Sequence, residues 1–193
     1  MSKGMSPVTH FLTGWVLANS ARLDRRGMAA VTATSVIPDI DGIGIVAEVL
    51  TRHSSHPLLW FSEYHHALHS LAFAVVVAIV TLALTRRWLT TGMVFVAFHL
   101  HLLEDLVGSR GPDGFIWPVP YLQPFTSHWT WSWGGQWHLN AWPNLVLTII
   151  LLGVTIWIAV VRGVSPVFLF SRKGDEPVVA VLRRRFQSCS GTL

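Results

Sequence analysis

Long apolar runs, separated by short polar stretches, dominate the chain. A helix needs about 20 residues to cross a hydrocarbon core, and the runs at 67–85 and 142–161 meet that length. A third long run covers 89–107, and shorter helices are indicated at 7–21 and 28–37. We therefore predict an all-α fold. It is an integral membrane bundle of about five helices, with two clear transmembrane spans and two to three shorter or tilted helices.

The composition is that of a membrane protein. Hydrophobic residues make up 51% of the chain and charged residues only 12%, whereas soluble domains carry about 25% charged residues. The net charge is +4, and basic clusters at 22–26, 86–87 and 162 flank apolar runs, as the positive-inside rule expects of a cytoplasmic side. We predict a membrane-embedded domain at 1–171 and a poorly ordered basic cytoplasmic tail at 172–193, in a multi-pass protein of the inner (plasma) membrane. Its predicted partners are membrane lipids and not nucleic acid.

If five helices cross the membrane in alternating directions, the basic clusters lie on one side and candidate imidazoles and carboxylates on the other. Helix one begins there, helix two ends, helix three begins and helix four ends, and each of these points carries candidate ligands. The candidates are His10, Asp39, Asp41, His65, His66, His69, His101 and Asp105. Ionisable groups are unfavourable beside hydrocarbon unless they serve a site. We therefore predict one shared site on the non-cytoplasmic face.

The spacing of these residues predicts how they pair. His101 and Asp105 are four apart on a predicted helix, so they share a face about 6 Å apart and suit one cation. His65 and His69 have the same spacing if helix three begins ahead of them. His66 and His69, three apart, are the other possible pair.

Asp39 and Asp41 follow Pro38 in a segment that we expect to be an extended turn, where alternate side chains point the same way. Nitrogen and oxygen ligands of this kind suit zinc, manganese or iron(II), and the single Cys189 excludes a cysteine-based zinc site. We predict one or two divalent ions, with zinc as the first choice. Such an ion lowers the pKa of water toward about 7 for attack on an ester or phosphoester. Glu104 or one of the two aspartates would act as general base.

Four segments, in this order, resemble the LexA-regulated, membrane-bound metal-dependent hydrolase family, also called YdjM-like. They are Thr9-His10, Pro38-Asp39-Ile40-Asp41, His65 to Ser70, and His101 to Asp105 followed by Gly108, Gly111 and Trp117-Pro118. The similarity covers about residues 5–161 and implies hydrolysis at a metal centre. Spacing and resemblance together lead to three groups of residues. They are the metal ligands His10, Asp41, His65, His69, His101 and Asp105, the catalytic residues Asp39 and Glu104, and the substrate-binding residues Ser70 and Trp117.

The third segment departs from the family pattern His-Arg-Gly-x-Thr-His-Ser, because the Arg, Gly and Thr are missing here. His69 and Ser70 carry over, whereas the first His corresponds to either His65 or His66. The chain is also similar, more distantly, to zinc-dependent phospholipase C and the P1-type nucleases. That similarity implies two zinc ions, one on His10 and Asp105 and the other on Asp41, His69, His101 and Asp105.

A loop rich in tryptophan covers residues 115–142. Tryptophan favours the membrane–water interface, and long loops in compact domains often act as lids over a site. We predict that the loop lies over the metal site and admits an amphiphilic substrate, such as a lipid phosphoester. Deleting 125–137 should then reduce hydrolysis of lipid substrates more than hydrolysis of small soluble esters.

Three other functions remain open from the sequence. Intramembrane His and Asp also line ion paths, so the chain could bind or transport a divalent metal without hydrolase activity. His69 and His101 could be the axial ligands of a b-type haem, although haem would not need the three aspartates. A structural or regulatory membrane protein with a vestigial site is the third alternative.

Overall fold

The computed structural model describes residues 6–60, 67–111 and 113–187. In that part of the chain the regular elements are helices, which confirms the predicted all-α class. The α-helices are α1 Pro7–Ser20, α2 Arg25–Thr34, α3 Gly44–Thr51, α4 Leu71–Thr85, α5 Trp88–Gly108, α6 Trp142–Arg162 and α7 Arg172–Gln187. Two 3₁₀ segments, Ile37–Ile43 and Pro166–Leu169, lie between them.

Within the described residues, two helices are long and apolar enough to cross a membrane, namely α5 and α6 with 21 residues each. A third possible span is α2 together with Ile37–Thr51, a pair bent by 51°. The span predicted at 67–85 is shorter than expected, because Ser70 caps the helix and accepts the N–H of Phe73 at 3.3 Å. The resulting 15 residues of α4 reach only about 22 Å at 1.5 Å per residue.

The interior of the bundle lies where α1, α2, α5 and α6 pack together. Its buried apolar core is Trp15, Ala18, Met28, Val31, Val94, Ala97 and Ile158. Gly14 permits the close approach of α1 to the end of α2. A Cβ atom at this glycine would lie 2.7 Å from Ser35 Cβ and 3.1 Å from Thr32 Cα.

The basic clusters meet at one end of the bundle. Arg87 pairs with Asp24 at 2.9 Å, and Arg162 donates to the carbonyl of Asn19. Arg25 donates to the carbonyl of Phe170 at 2.8 Å. We call this end the basic face, defined by the Arg and Lys residues at 22–26, 86–87, 162, 172–173 and 183–185. That it faces the cytoplasm stays a prediction.

The tail expected to be poorly ordered instead forms α7 up to residue 187, and this expectation is wrong for that segment. Buried Asp175 accepts hydrogen bonds from the backbone N–H of Ser165 at 3.0 Å and from its hydroxyl at 2.5 Å. Arg183 Nε donates to the carbonyl of Val160 at 2.9 Å. These bonds hold the first and third turns of α7 against the end of α6.

The tryptophan-rich loop is tied to the end of α5 by two buried amides. Gln136 Nε2 donates to the carbonyls of Asp105 and Leu106, each at 3.1 Å. Asn144 Nδ2 donates to the carbonyl of Gly108 at 2.9 Å, and its Oδ1 accepts the indole N–H of Trp137 at 2.5 Å. Helices leave their last carbonyls without partners, so the loop supplies the missing donors at this end.

Candidate metal centre

Four predicted residues from three parts of the chain come together inside the bundle. His10, Asp39, His101 and Asp105 each offer one ligand atom, and these atoms all lie within 4.8 Å of one another. Both histidines and Asp105 are fully buried, whereas the Asp39 side chain keeps 12% of its surface exposed. His101 is the fourteenth residue of α5 and so lies about 20 Å from the basic end of that helix.

His69 extends this group from the turn ahead of α4. Its Nε2 lies 3.3 Å from His101 Nε2 and 3.4 Å from Asp105 Oδ2. It also lies 4.0 Å from Asp39 Oδ1. Helix α4 begins only at Leu71, so residues 67–70 form a turn ahead of it and not its first turn. The pairing of His69 with His65 or His66 stays a prediction, because these two lie outside the described residues.

Asp105 lies at the centre of the group. Its Oδ1 is 3.5 Å from His10 Nε2, and its Oδ2 is 3.2 Å from His101 Nε2. Ligand atoms held about 2.0–2.1 Å from a tetrahedral zinc ion are about 3.4 Å apart. The spacing of the nitrogens and oxygens therefore matches that of a coordination shell around one cation.

The donor set also fits a cation because two of its buried atoms lack other partners. Among the described residues, His10 Nε2 and Asp39 Oδ2 have no hydrogen-bond partner. They lie 3.8 Å apart, too far for a hydrogen bond with each other. A buried polar atom without a partner is unfavourable, and a bound cation together with its water would satisfy both atoms.

All three histidines direct Nε2 into the group and Nδ1 toward an acceptor behind it. The outer pairs are His10 with Glu104 Oε2 at 2.5 Å, His69 with Asp41 Oδ2 at 3.6 Å, and His101 with the carbonyl of Ser35 at 3.0 Å. Metal-ligating histidines almost always donate their second ring N–H in this way, which fixes the ring and its tautomer. His10 and His101 make this contact at hydrogen-bond distance, whereas His69 Nδ1 faces Asp41 Oδ2 at 3.6 Å, which is longer than a hydrogen bond.

Asp39 and Asp41 do not form the extended turn expected from the sequence. Ile37–Ile43 is a 3₁₀ helix with about three residues per turn. Residues two apart in such a helix point in different directions, so the two carboxylates separate. Asp39 faces the group, whereas Asp41 accepts the N–H of Leu68 at 3.2 Å and lies beside His69 Nδ1.

Glu104 lies behind His10 and beside α1. One carboxylate oxygen meets His10 Nδ1, and the other accepts a short hydrogen bond from Thr13. Its side chain keeps 13% of its surface exposed. Glu104 and Asp41 are therefore placed alike: each carboxylate faces the Nδ1 of a histidine whose Nε2 points into the group.

The remaining predicted residues lie at the edge of the group or away from it. Ser70 is buried and caps α4. Trp117 is buried among Phe98, Leu102 and Val119. His65 and His66 lie outside the described residues. The roles assigned to these residues stay predictions.

Sequence reasoning missed several residues that support the group. Ser109 Oγ donates to Asp105 Oδ1 at 2.9 Å, and its place four residues after Asp105, at the C-cap of α5, was a usable signal. The backbone carbonyl of Ser35 accepts from His101, and the hydroxyl of Thr13 donates to Glu104. Both contacts join segments that are distant in the sequence, so local sequence gives no sign of them. Nothing in the local sequence marks Gln136, whose amide reaches Asp105 from 31 residues away.

The charge state of His69 follows from its neighbours. Burial by itself lowers the pKa of this imidazole, but hydrogen bonding and negative charge from Asp105 and Asp41 outweigh burial and raise the pKa to about 9. In the metal-free protein we therefore expect His69 to carry a proton at neutral pH. A cation that binds its Nε2 must displace that proton.

Fold and cluster together define a helical membrane protein with a buried group that can hold a metal ion. The signature of the family described as YdjM inner membrane protein matches residues 5–173, and the chain belongs to that family. The YdjM-like resemblance seen in the sequence is thereby confirmed, whereas the hydrolysis that it implies stays a prediction. No curated protein and no solved structure matches the chain. The more distant similarity to phospholipase C and P1-type nucleases stays a prediction.

Proposed function

We propose that this protein is a membrane-bound metal-dependent hydrolase that cleaves a phosphoester or ester bond in an amphiphilic, lipid-like substrate. The observation that carries the proposal is the set of three inward-facing Nε2 atoms around Asp105, with the rings of His10 and His101 held from behind at Nδ1. Three histidines and Asp105 form a nitrogen and oxygen set that suits zinc, with manganese or iron(II) as alternatives. We propose one ion, or two if the region beside His69 and Asp41 also binds.

The residues divide the work according to their positions. We assign His10, His69, His101 and Asp105 to holding the ion, and Glu104 and Asp41 to orienting the rings. A divalent cation bound there supplies Lewis acidity and lowers the pKa of nearby water toward about 7.

Asp39 is the acid that we assign to proton transfer. Its side chain keeps 12% of its surface exposed, and its buried Oδ2 makes no hydrogen bond with the described residues. When the oxygen of water bonds to the phosphorus or carbonyl carbon, Asp39 accepts the released proton. It then passes that proton to the leaving-group oxygen as the ester bond breaks.

An apolar stripe beside the site supports an amphiphilic substrate. Ile40, Ile43, Val46 and Val49 follow one another at every third position along the 3₁₀ segment and α3, and each is 52–65% exposed. The stripe begins next to Asp39, so an acyl chain lying along it would bring an ester group to the acid. Trp129 and Trp133 of the aromatic loop are also exposed, as an interfacial lid requires.

The proposal is tested by measuring metal content and turnover on the same preparations. Wild-type protein purified in mild detergent should hold about one to two zinc, manganese or iron ions per chain and should hydrolyse at least one member of a panel of phosphoesters and carboxyl esters. Asp105→Ala should lose both properties. The matched control is Asp113→Ala, an exposed aspartate beyond the end of α5, which should keep both.

The principal alternative is a protein that binds or transports a divalent metal without hydrolysing anything. Tightly held metal without turnover on any substrate of the panel, together with metal uptake into vesicles, would favour that function. Wild-type protein without a tightly held cation would overturn both.

We also propose that the site faces the non-cytoplasmic side of the inner membrane. The concentration of Arg and Lys at the basic face supports this orientation through the positive-inside rule. Accessibility of tags inserted at residues 53 and 190 in intact cells tests it. The tag at 53 should be labelled from outside, and the tag at 190 only after permeabilisation.

A further inference from the structure

Helix α7 is fixed to the end of the membrane-crossing helix α6. Asp175 in its first turn is bonded to Ser165, and Arg183 in its third turn is bonded to the carbonyl of Val160. Buried Val179 lies on the same side of α7 as Asp175, because the two are four residues apart. These contacts bury one side of α7 against the bundle and leave the opposite side exposed.

The exposed side of α7 is both apolar and basic. Val181 is 50% exposed, and Phe170, just ahead of the helix, is 78% exposed. Arg172, Lys173 and Arg185 are exposed near the two ends of the same helix. Apolar side chains between exposed Lys and Arg are typical of a helix that lies in the membrane interface.

The basic face is mostly positive. The Arg and Lys residues at 22–26, 86–87, 162, 172–173 and 183–185 are accompanied by three acids, Asp24 in the first segment and Asp175 and Glu176 between the basic residues of α7. Asp24 forms an ion pair with Arg87, and buried Asp175 accepts hydrogen bonds from Ser165. The residues at 22–26, 86–87, 162 and 172–185 carry eleven basic side chains against these three acids, so the basic face has an excess of positive charge.

We propose that the basic face is a binding surface for anionic phospholipids, with α7 as the interfacial helix that holds it against the headgroups. The arginines donate to lipid phosphates, and Phe170 and Val181 enter the boundary between headgroups and acyl chains. The occupant is the anionic leaflet of the bilayer that surrounds the protein. The proposal is independent of the chemistry at the metal centre.

The test measures which lipids the full-length protein retains. Protein in a neutral detergent is equilibrated with equal amounts of phosphatidylglycerol and phosphatidylcholine at low salt, purified, and its bound lipids are quantified by mass spectrometry. A basic residue near an anionic surface contributes roughly fivefold in preference. Wild type should be enriched in phosphatidylglycerol, and Arg172→Gln with Arg185→Gln should reduce the enrichment about tenfold or more.

Two matched variants separate surface charge from folding. Arg172→Lys with Arg185→Lys keeps the charge and should retain the enrichment. Arg52→Gln with Arg110→Gln removes the same charge outside the basic face and should also retain it. Equal retention of both lipids by wild type would overturn the proposal. An unchanged enrichment in the Gln pair, or the same loss in either matched variant, would also overturn it.

Discussion

Glu104→Gln is the most informative single substitution at the metal centre. It keeps the size of the side chain and removes the negative charge that meets His10 Nδ1 at 2.5 Å. Removing an outer partner of a metal-bound histidine lowers metal affinity by about 10–100-fold, or about 1.4–2.8 kcal/mol. The carboxylate also accepts from Thr13, so its position is held by α1 as well as by α5. We therefore expect a loss toward the upper end of this range.

The assay is a zinc titration of metal-stripped protein against a chelator of known affinity, with turnover measured on the same samples. Turnover at saturating zinc should recover, because the substitution weakens ion binding and leaves Asp39 in place. The control is Glu176→Gln, which removes an exposed carboxylate from α7 at the other end of the bundle. Unchanged zinc affinity with turnover abolished at every zinc concentration would refute the orienting role. It would make Glu104 the general base.

Three further substitutions or conditions test the same structure. His101→Ala should lower zinc affinity by more than the 10–100-fold of an outer partner, measured by the same titration. His99→Ala should leave zinc affinity unchanged, because His99, two residues before His101, contacts Tyr121 and the carbonyl of Phe95. Gly14→Ala should lower the free energy of unfolding by about 1–3 kcal/mol through the clash with α2. In thermal unfolding, Gly153→Ala is its control, since a Cβ there meets nothing within 4 Å. Because the pKa of His69 is raised to about 9, zinc affinity should increase up to about tenfold per pH unit between pH 6 and 8. A flat pH profile would show that no proton leaves when zinc binds.

The convergence of the site could be predicted from the order of charges along the chain. Basic clusters at alternate helix connections place the intervening helix ends on the other side, and His10, Asp39, His101 and Asp105 do meet. The pairing of His101 with Asp105 follows from helical spacing alone, and the structure has them 3.2 Å apart. Both inferences needed only the direction of the chain and the period of an α-helix.

Contacts between distant segments could not be predicted in the same way. The choice between an extended turn and a 3₁₀ helix at Asp39 and Asp41 depends on packing against the bundle, because Pro38 is compatible with either. Helix α7 was missed because its composition is that of a basic tail. Its signal was the spacing of Asp175 and Val179, which share one side of a helix.

The attachment of the aromatic loop to α5 couples the position of the loop to that of Asp105. The amide of Gln136 donates to the backbone carbonyl of Asp105 itself, and the amide of Asn144 donates to the carbonyl of Gly108 at the end of the helix. Loading the pocket with zinc should therefore slow amide hydrogen exchange across the tryptophan segment, far from any ligand atom. Conversely, Gln136→Ala should speed hydrogen exchange in the turn of α5 that carries Asp105, because that turn would lose its contact with the loop.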